Sequence, residues 1–183
     1  MIIFFGIAGS GKGTQAATLS KRTGWPTLSS GEVLRQNTDD PSIKAALAAG
    51  QLVSDEKLIP LLEQEFNRIG AAKNEFILDG SPRNINQARW LVEKIKEGKL
   101  MLSAIIHIKL SEQVAQERLA LRGRSDDDSK AMVGRFKFYE ESVMPAMRYL
   151  EAQGYEINEI DGDVTPEEVA TNIRRVLETK NAG

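Results

Sequence analysis

The sequence feature that most constrains the fold is a glycine-rich loop close to the start of the chain. The stretch GIAGSGKGTQ, residues 6–15, follows the apolar run MIIFF and opens a segment with apolar residues at helical spacing. Between a strand and a helix, such a loop points successive backbone N–H groups at one spot. Together with the helix N-terminus they form a cradle for phosphate oxygens. The loop departs from the usual pattern G-x-x-x-x-G-K-[ST], because Gly13 follows Lys12 and the hydroxyl comes only at Thr14.

The residues of this loop suit phosphate binding in different ways. Gly9, Gly11 and Gly13 allow backbone angles and a close approach that a Cβ atom would prevent. The Lys12 ammonium supplies a positive charge for the outer phosphates. Because Gly13 has no hydroxyl to bind Mg²⁺, phosphate oxygens and water would hold that ion. Asp79 is the candidate for orienting this water, since a parallel sheet would place its carboxylate beside the loop; taken alone, it fits a turn residue in DGSP equally well.

Short apolar runs alternate with longer segments of helical spacing along the rest of the chain. The runs predict five strands, at Ile2–Phe5, Thr27–Ser29, Phe76–Leu78, Ala104–Ile108 and Tyr155–Ile160. The longer segments predict helices at Lys12–Thr23, Asp55–Ile69, Ile85–Lys96, Glu112–Leu121, Lys130–Ala152 and Pro166–Glu178, with a kink at Pro145. Alternating strands and helices favour a P-loop α/β fold of three layers, α/β/α, around a five-stranded parallel sheet.

The length and composition bound the kinds of protein this can be. A chain of 183 residues fits a single domain, residues 1–183, and the long interval after the second strand predicts a helical insertion over about residues 30–59. The net charge of −2 argues against broad attraction to nucleic acid. No run approaches the roughly 20 apolar residues of a membrane span. The absence of cysteine excludes a thiolate zinc site and agrees with a cytoplasmic location.

Arginine is the residue type that phosphoryl transfer most needs, because charge on the migrating group must be stabilised. The candidates are Arg35, Arg83, Arg118, Arg122, Arg124 and Arg135. Arg118 and Arg122 are four residues apart and share a helix face, and the next two follow closely along the chain. A helix–loop–helix hairpin would aim several of them at one point. The alternative for each is an ordinary solvated basic face.

Six stretches in register resemble the nucleoside monophosphate kinase family, and adenylate kinases most of all. They cover nearly the whole chain and read GIAGSGKGTQ, LSSGEVLR, AGQLVSDE, FILDGSPRNINQA, RLALRGRSDDD and DGDVTPEEV. The Gly-Lys-Gly-Thr variant is itself typical of this family, so the loop is interpreted as intact. The resemblance implies reversible transfer of the ATP γ-phosphoryl group to AMP, with Mg²⁺ as cofactor, a monomeric protein, and ATP, AMP and ADP as its only partners.

The resemblance also implies roles for individual residues. ATP would contact Gly9, Ser10, Gly11, Lys12, Gly13, Thr14, Arg118 and Arg122, with the Arg118 guanidinium flat against the adenine. AMP would contact Ser30, Arg35, Gln51, Leu52, Val53, Gly80, Ser81, Pro82, Arg83, Gln87, Arg124 and Arg135. The catalytic set would be Lys12, Arg83, Arg122, Arg124 and Arg135, and Asp79 would position water on Mg²⁺. The Ser81–Pro82 peptide bond corresponds to one that is cis in the family.

Two departures from the family pattern affect the expected substrate site. Ser81 stands where the family usually has phenylalanine, so the floor of the AMP site loses an aromatic ring. Only Gly123 separates Arg122 from Arg124, which implies an extremely short lid over about residues 122–128. A shrunken lid covers less of the site, so hydrolysis of ATP would compete better with transfer.

The acceptor base stays open at the level of the sequence. Ser30 and Gln87 match adenylate kinases, since a glutamine amide can donate and accept along an adenine edge. Asn84 instead resembles the UMP and CMP kinases of the same family. A protein of another class, a P-loop switch or binding module that hydrolyses ATP without an acceptor, is the further alternative. His107, the only histidine, is assigned to structure or solvent rather than to catalysis.

Overall fold

A sheet of five parallel strands forms the centre of the molecule. The computed structural model describes residues 1–48, 51–122 and 129–181. The strands lie in the order β2-β3-β1-β4-β5, which confirms the predicted parallel sheet. Their bounds are Ile2–Phe5 for β1, Thr27–Ser29 for β2, Ile77–Asp79 for β3, Ala104–Lys109 for β4 and Ile157–Asp161 for β5. The third and fifth therefore begin one or two residues later than the apolar runs predict.

The side chains of β1 show how the sheet divides the core in two. Ile2 and Phe4 pack into one hydrophobic cluster, and Ile3 and Phe5 pack into the other. All four are at most 3% exposed. Successive residues of a strand point to opposite faces, so an apolar run without alternation is what a strand covered on both faces requires.

Helices cover both faces of the sheet and complete the predicted three layers. Helices α1 and α9 pack on the face of Ile2, and α4, α5 and α8 pack on the face of Ile3. The helices of the described residues are α1 Lys12–Thr23, α2 Ser30–Gln36, α3 Pro41–Ala48, α4 Asp55–Ile69, α5 Ile85–Lys96, α6 Glu112–Arg122, α7 Ser129–Phe138, α8 Met144–Ala152 and α9 Pro166–Asn181. Within the described ranges, none of them is long and apolar enough to cross a membrane.

The long helix predicted over residues 130–152 is divided in the structure. A π-helical turn, Tyr139–Val143, separates α7 from α8, and Pro145 is the second residue of α8. Proline has no N–H to donate and fits the first turn of a helix. The disturbance predicted at Pro145 is therefore a wider helical turn immediately before the second segment.

The features that place functional groups lie at the carboxyl edge of the sheet. Phe4 in β1 pairs with Asp79 in β3, and Asp79 in turn pairs with Ser29 in β2. The chain leaves β1 into the glycine-rich loop and leaves β2 into α2 and α3. The segment from Ser30 to the start of α4, over which the insertion is predicted, thus begins at the same edge. Ligands of open parallel sheets bind at this edge.

Candidate active site

The glycine-rich loop adopts a backbone that needs glycine at three positions, the first of which is Gly6 with φ +152°. Gly9 has φ +86° and Gly11, the N-cap of α1, has φ +88°. A Cβ atom at Gly9 would lie 2.8 Å from the carbonyl oxygen of Ala115, so the loop packs closely against α6. Gly13 differs from the sequence-based expectation: it lies inside α1 without a positive φ, and a Cβ there would meet nothing within 4 Å. Of the two reasons expected for glycine at position 13, the backbone angle does not apply, and the close approach of a ligand remains.

Lys12 lies over the loop that precedes it. Its ammonium donates hydrogen bonds to the carbonyl oxygens of Gly6, at 2.6 Å, and Ile7, at 3.0 Å. The residue is half-buried and lines two cavities. An ammonium held on carbonyl oxygens is in place to exchange them for phosphate oxygens, which carry more charge.

The first cavity, of about 840 Å³, contains the loop and several of the predicted side chains. Residues 8–15 form one wall, and Asp79, Arg35 and Arg118 contribute charged groups. Val164 and Pro166, from the β5–α9 connection, line it as well. Loop N–H groups, cations and one apolar wall are the combination that a nucleotide requires, because its phosphates and its base need different surroundings.

The second cavity, of about 340 Å³, adjoins the first at Ala8 and Lys12. Its cations are Lys12, Arg83 and Arg135. The remaining wall is formed by Gly80, Ser81 and Pro82 together with aromatic and aliphatic residues, namely Phe4, Phe5, Phe138, Tyr139 and Val143. The Ser81–Pro82 peptide bond is cis, as the resemblance implied.

The electrostatics of Arg83 indicate that the arginines lie within range of one another. Burial lowers the pKa of its guanidinium below the ordinary value, and Asp79 opposes that change. Arg35 and Arg135 lower the pKa of Arg83 further by like-charge repulsion. A bound anion would relieve this repulsion between the guanidinium groups.

Several residues predicted to contact the acceptor nucleotide lie beside the cavities rather than in them. Ser30 is 1% exposed and donates to the carbonyl oxygen of Gly80 at 2.7 Å. Gln87 is also 1% exposed, and its amide is bonded within the protein. Gln51, Leu52 and Val53 line neither cavity. Arg124, the side chain of Arg122 and the predicted lid lie outside the described residues.

Some residues that line the two cavities were not predicted from the sequence. Phe138, the last residue of α7, and Tyr139, the first of the π-helical turn, line the second cavity, and helical periodicity does not predict that turn. Gln15 and Glu32 line the first cavity beside predicted residues, and their proximity to motifs is the signal that would have found them. Asp55, which the sequence identifies only as the first residue of a predicted helix, accepts hydrogen bonds from the side chains of Asn84 and Gln87.

His107 lies behind the loop, in β4, where it pairs with Phe5 of β1. It is 7% exposed and its Nε2 atom is 2.9 Å from the hydroxyl of Tyr139. Burial lowers its pKa below 6.5. The residue belongs to the packed interior, in agreement with its assignment to structure.

Comparison with known proteins gives one consistent family. The family model described as Adenylate kinase matches residues 4–155. A protein named Adenylate kinase 1 from Synechocystis sp. is 36% identical over 181 residues, which covers 96% of each chain. An adenylate kinase from Mycobacterium tuberculosis is 34% identical over 181 residues, covering 96% of this chain and 98% of its own. One from Brucella ovis is 36% identical over 191 residues, with 96% and 97% covered.

Proposed function

Because the chain belongs to the adenylate kinase family, we infer that it catalyses reversible transfer of the γ-phosphoryl group of ATP to AMP, giving two ADP. The observation that supports this best is the pair of adjoining cavities that share Lys12. A transferase needs room for a donor and an acceptor on the two sides of the migrating group. A protein that only hydrolyses ATP needs a site for water there, not a second cavity with its own arginines.

We propose that the donor occupies the first cavity. The N–H groups of residues 9–14 would bind its phosphates, and Lys12 would leave the carbonyl oxygens of Gly6 and Ile7 to bridge the outer two. Arg118 would cover the base opposite Val164 and Pro166, all three of which line this cavity. Arg122, which is four residues further along α6, would reach the phosphates from the same helix face.

The acceptor phosphate would lie in the second cavity beside Arg83 and Arg135, and Arg35 would reach it from the first cavity. Its anionic oxygen attacks the γ-phosphorus while the bond to the β-phosphate oxygen breaks, and no proton has to be removed, because the acceptor is already an anion. The residues therefore act by aligning the two phosphates and by stabilising charge on the migrating group. Arg124, from the predicted lid, would complete the ring of cations.

The family implies Mg²⁺, and the oxygen groups of the first cavity fit it. Asp79 and Glu32 both line this cavity, and carboxylates acting through water are the partners Mg²⁺ prefers. Among the described residues there is no group of three or more side chains that could hold a metal by themselves. Mg²⁺ would accordingly sit on phosphate oxygens, with Asp79 orienting its water, and when bound it neutralises phosphate charge.

AMP is favoured over UMP and CMP as the acceptor. Asn84, the residue that favoured the pyrimidine enzymes, has a structural reason in this chain. It is the N-cap of α5, and its Oδ1 accepts a hydrogen bond from the Gln87 backbone N–H at 2.9 Å. Of the residues that bear on base choice, Ser30 and Gln87 favour adenine by residue type, and each would have to exchange its present partners within the protein for the base.

The test of the proposed function is ADP formation from ATP and each of AMP, CMP, UMP and GMP. AMP should be preferred, and Lys12→Ala should lower kcat on the order of 10²-fold or more. Thr18→Ala, an exposed change on the same helix, is the matched control and should leave kcat within twofold. Turnover of ATP that does not depend on any monophosphate, or a clear preference for CMP or UMP, would contradict the proposal.

A further inference from the structure

Both ends of the segment between β2 and α4 are hydrogen-bonded to one short stretch, Gly80–Gln87. At its beginning, the Ser30 hydroxyl donates to the carbonyl oxygen of Gly80 at 2.7 Å. At its end, Asp55 is the first residue of α4 and accepts hydrogen bonds from Asn84 and Gln87. The stretch that connects these contacts also carries Arg83 into the second cavity.

The Asp55 carboxylate is bound by two side-chain amides. The Gln87 Nε2 donates to its Oδ1 at 2.7 Å, and the Asn84 Nδ2 lies 3.0 Å from both oxygens. Asp55 is half-buried and Gln87 is 1% exposed. Hydrogen bonds to a charged group are stronger than neutral ones, and solvent has little access to compete for the Gln87 amide.

The other half of the Gln87 amide fixes the backbone of Arg83. Its Oε1 accepts from the Arg83 backbone N–H at 2.7 Å and from the Ser81 hydroxyl at 3.3 Å. The amide has only one orientation that satisfies both sides. Turned over, it would present its oxygen to the Asp55 carboxylate and its N–H₂ group to the Arg83 N–H, which is repulsive on both sides.

We propose that Asp55 is a positioning residue for Arg83, acting through the Gln87 amide that it orients. With its backbone held in this way, the Arg83 side chain starts from a fixed position, and its Nε donates to the Gly80 carbonyl oxygen at 2.6 Å. Since Asp55 begins α4, the start of that helix and the backbone of Arg83 are linked by two successive hydrogen bonds, both made by the Gln87 amide. The kinetic consequence rests on the proposed function.

The first test compares Asp55→Asn with Glu56→Gln, two neutral amides in the same helical turn. Glu56 is exposed, so its variant removes the same charge from the start of α4 without touching the amides. Asp55→Asn should lower kcat/KM for AMP about tenfold, the scale of one hydrogen bond to a charged group. It should leave KM for ATP within twofold, and Glu56→Gln should leave both parameters within twofold of wild type.

The second test needs no nucleotide and uses hydrogen exchange of the Arg83 backbone N–H, followed by NMR. Asp55→Asn should speed this exchange at least tenfold relative to neighbouring residues of α5, since the amide of Gln87 loses its orientation. The double variant Asp55→Asn, Gln87→Glu exchanges the carboxylate and the amide between the two positions. The carboxylate introduced at position 87 accepts from the Arg83 N–H and from the amide introduced at position 55, so protection should return.

Each outcome decides the proposal. Loss of protection in Asp55→Asn, its return in the double variant, and an effect on AMP but not on ATP support it. Unchanged exchange, or a lower melting temperature with unchanged kcat/KM for AMP, overturns it and leaves Asp55 a structural residue. If the wild-type protein does not consume AMP at all, the proposed function is refuted, and the exchange result still decides whether Asp55 holds Arg83.

Discussion

Replacing Tyr139 with phenylalanine tests the buried contact behind the second cavity. Its hydroxyl lies 2.9 Å from His107 Nε2, and the two residues are 8% and 7% exposed. Burial raises the pKa of Tyr139, so its hydroxyl stays protonated. Burial lowers the pKa of His107, so the ring stays neutral at pH 7. The Glu159 carboxylate, 3.7 Å from Nδ1, favours the ring proton on that nitrogen, and with that tautomer the hydroxyl donates to Nε2.

The expected cost follows from what the substitution leaves behind. Tyr139→Phe keeps the ring and its packing but leaves Nε2 buried without a donor, and Nδ1 already has no hydrogen-bond partner among the described residues. An unsatisfied buried acceptor costs about 1–3 kcal/mol. For a protein of this size, 1 kcal/mol shifts the melting temperature by about 2–4 °C. A loss of about 2 kcal/mol therefore corresponds to a decrease of about 4–8 °C.

Scanning calorimetry at pH 7.5 measures this directly, with Tyr155→Phe as the matched control. Tyr155 is half-buried and its hydroxyl has no hydrogen bond to another described residue, so that variant should shift the melting temperature by less than about 2 °C. If the two variants melt within about 1 °C of each other, the hydrogen bond between Tyr139 and His107 does not have the energetic role argued from its burial.

Three further predictions concern acid stability, the loop and the metal. Because the folded pKa of His107 lies below 6.5, the unfolded chain takes up a proton first as the pH falls, so the free energy of unfolding is full above pH 6.5 and decreases below it. Urea unfolding should show a shallower decrease for His107→Gln than for wild type between pH 6.5 and about 5. Equal dependence of the unfolding free energy on pH in the two proteins would contradict this. Gly9→Ala adds a Cβ atom 2.8 Å from the Ala115 oxygen at φ +86°, whereas Gly98→Ala adds one in open space at φ +69°. Calorimetry should show the larger loss for Gly9→Ala, by about 1 kcal/mol or more, and equal losses would refute the close packing of the loop on α6. EDTA should abolish ADP formation and added Mg²⁺ should restore it, and unchanged activity in EDTA would refute the assignment of Mg²⁺.

The sequence was most informative where function and fold depend on local chemistry. Short runs of residues predicted four of the five strands to within one residue. The clearest were β1 and β4, which are buried over nearly their whole length and apolar at nearly every position. The loop from Gly6 to Thr14 was recognisable for a similar reason, since its backbone conformation needs glycine at Gly6, Gly9 and Gly11. The exception was Gly13, where the expected backbone freedom is not used.

The π-helical turn shows what periodicity does not reveal. Residues 130–152 have apolar side chains at helical spacing throughout, and one additional residue per turn over Tyr139–Val143 alters that spacing too little to be read. The turn nevertheless brings Tyr139 to both His107 and the second cavity. Packing decides which strand lies against a helix. No local pattern in the sequence therefore shows that Tyr139 contacts His107.

The residues on the acceptor side of the site also show what the sequence predicts and what only packing decides. Asp55, Asn84 and Gln87 are separated by up to 32 positions along the chain, and their side chains meet only because α4 and α5 begin at the same edge of the sheet. Residue type alone permits Asn84 to be a base-reading residue or a helix cap, and only its bond to the Gln87 N–H identifies the cap. The sequence by itself thus determined the fold class, the phosphate loop and the family, since these depend on residue types at fixed spacing. The tertiary structure decided which side chains face a cavity and which are held by one another, because hydrogen bonds between distant residues exist only after packing has set their separation.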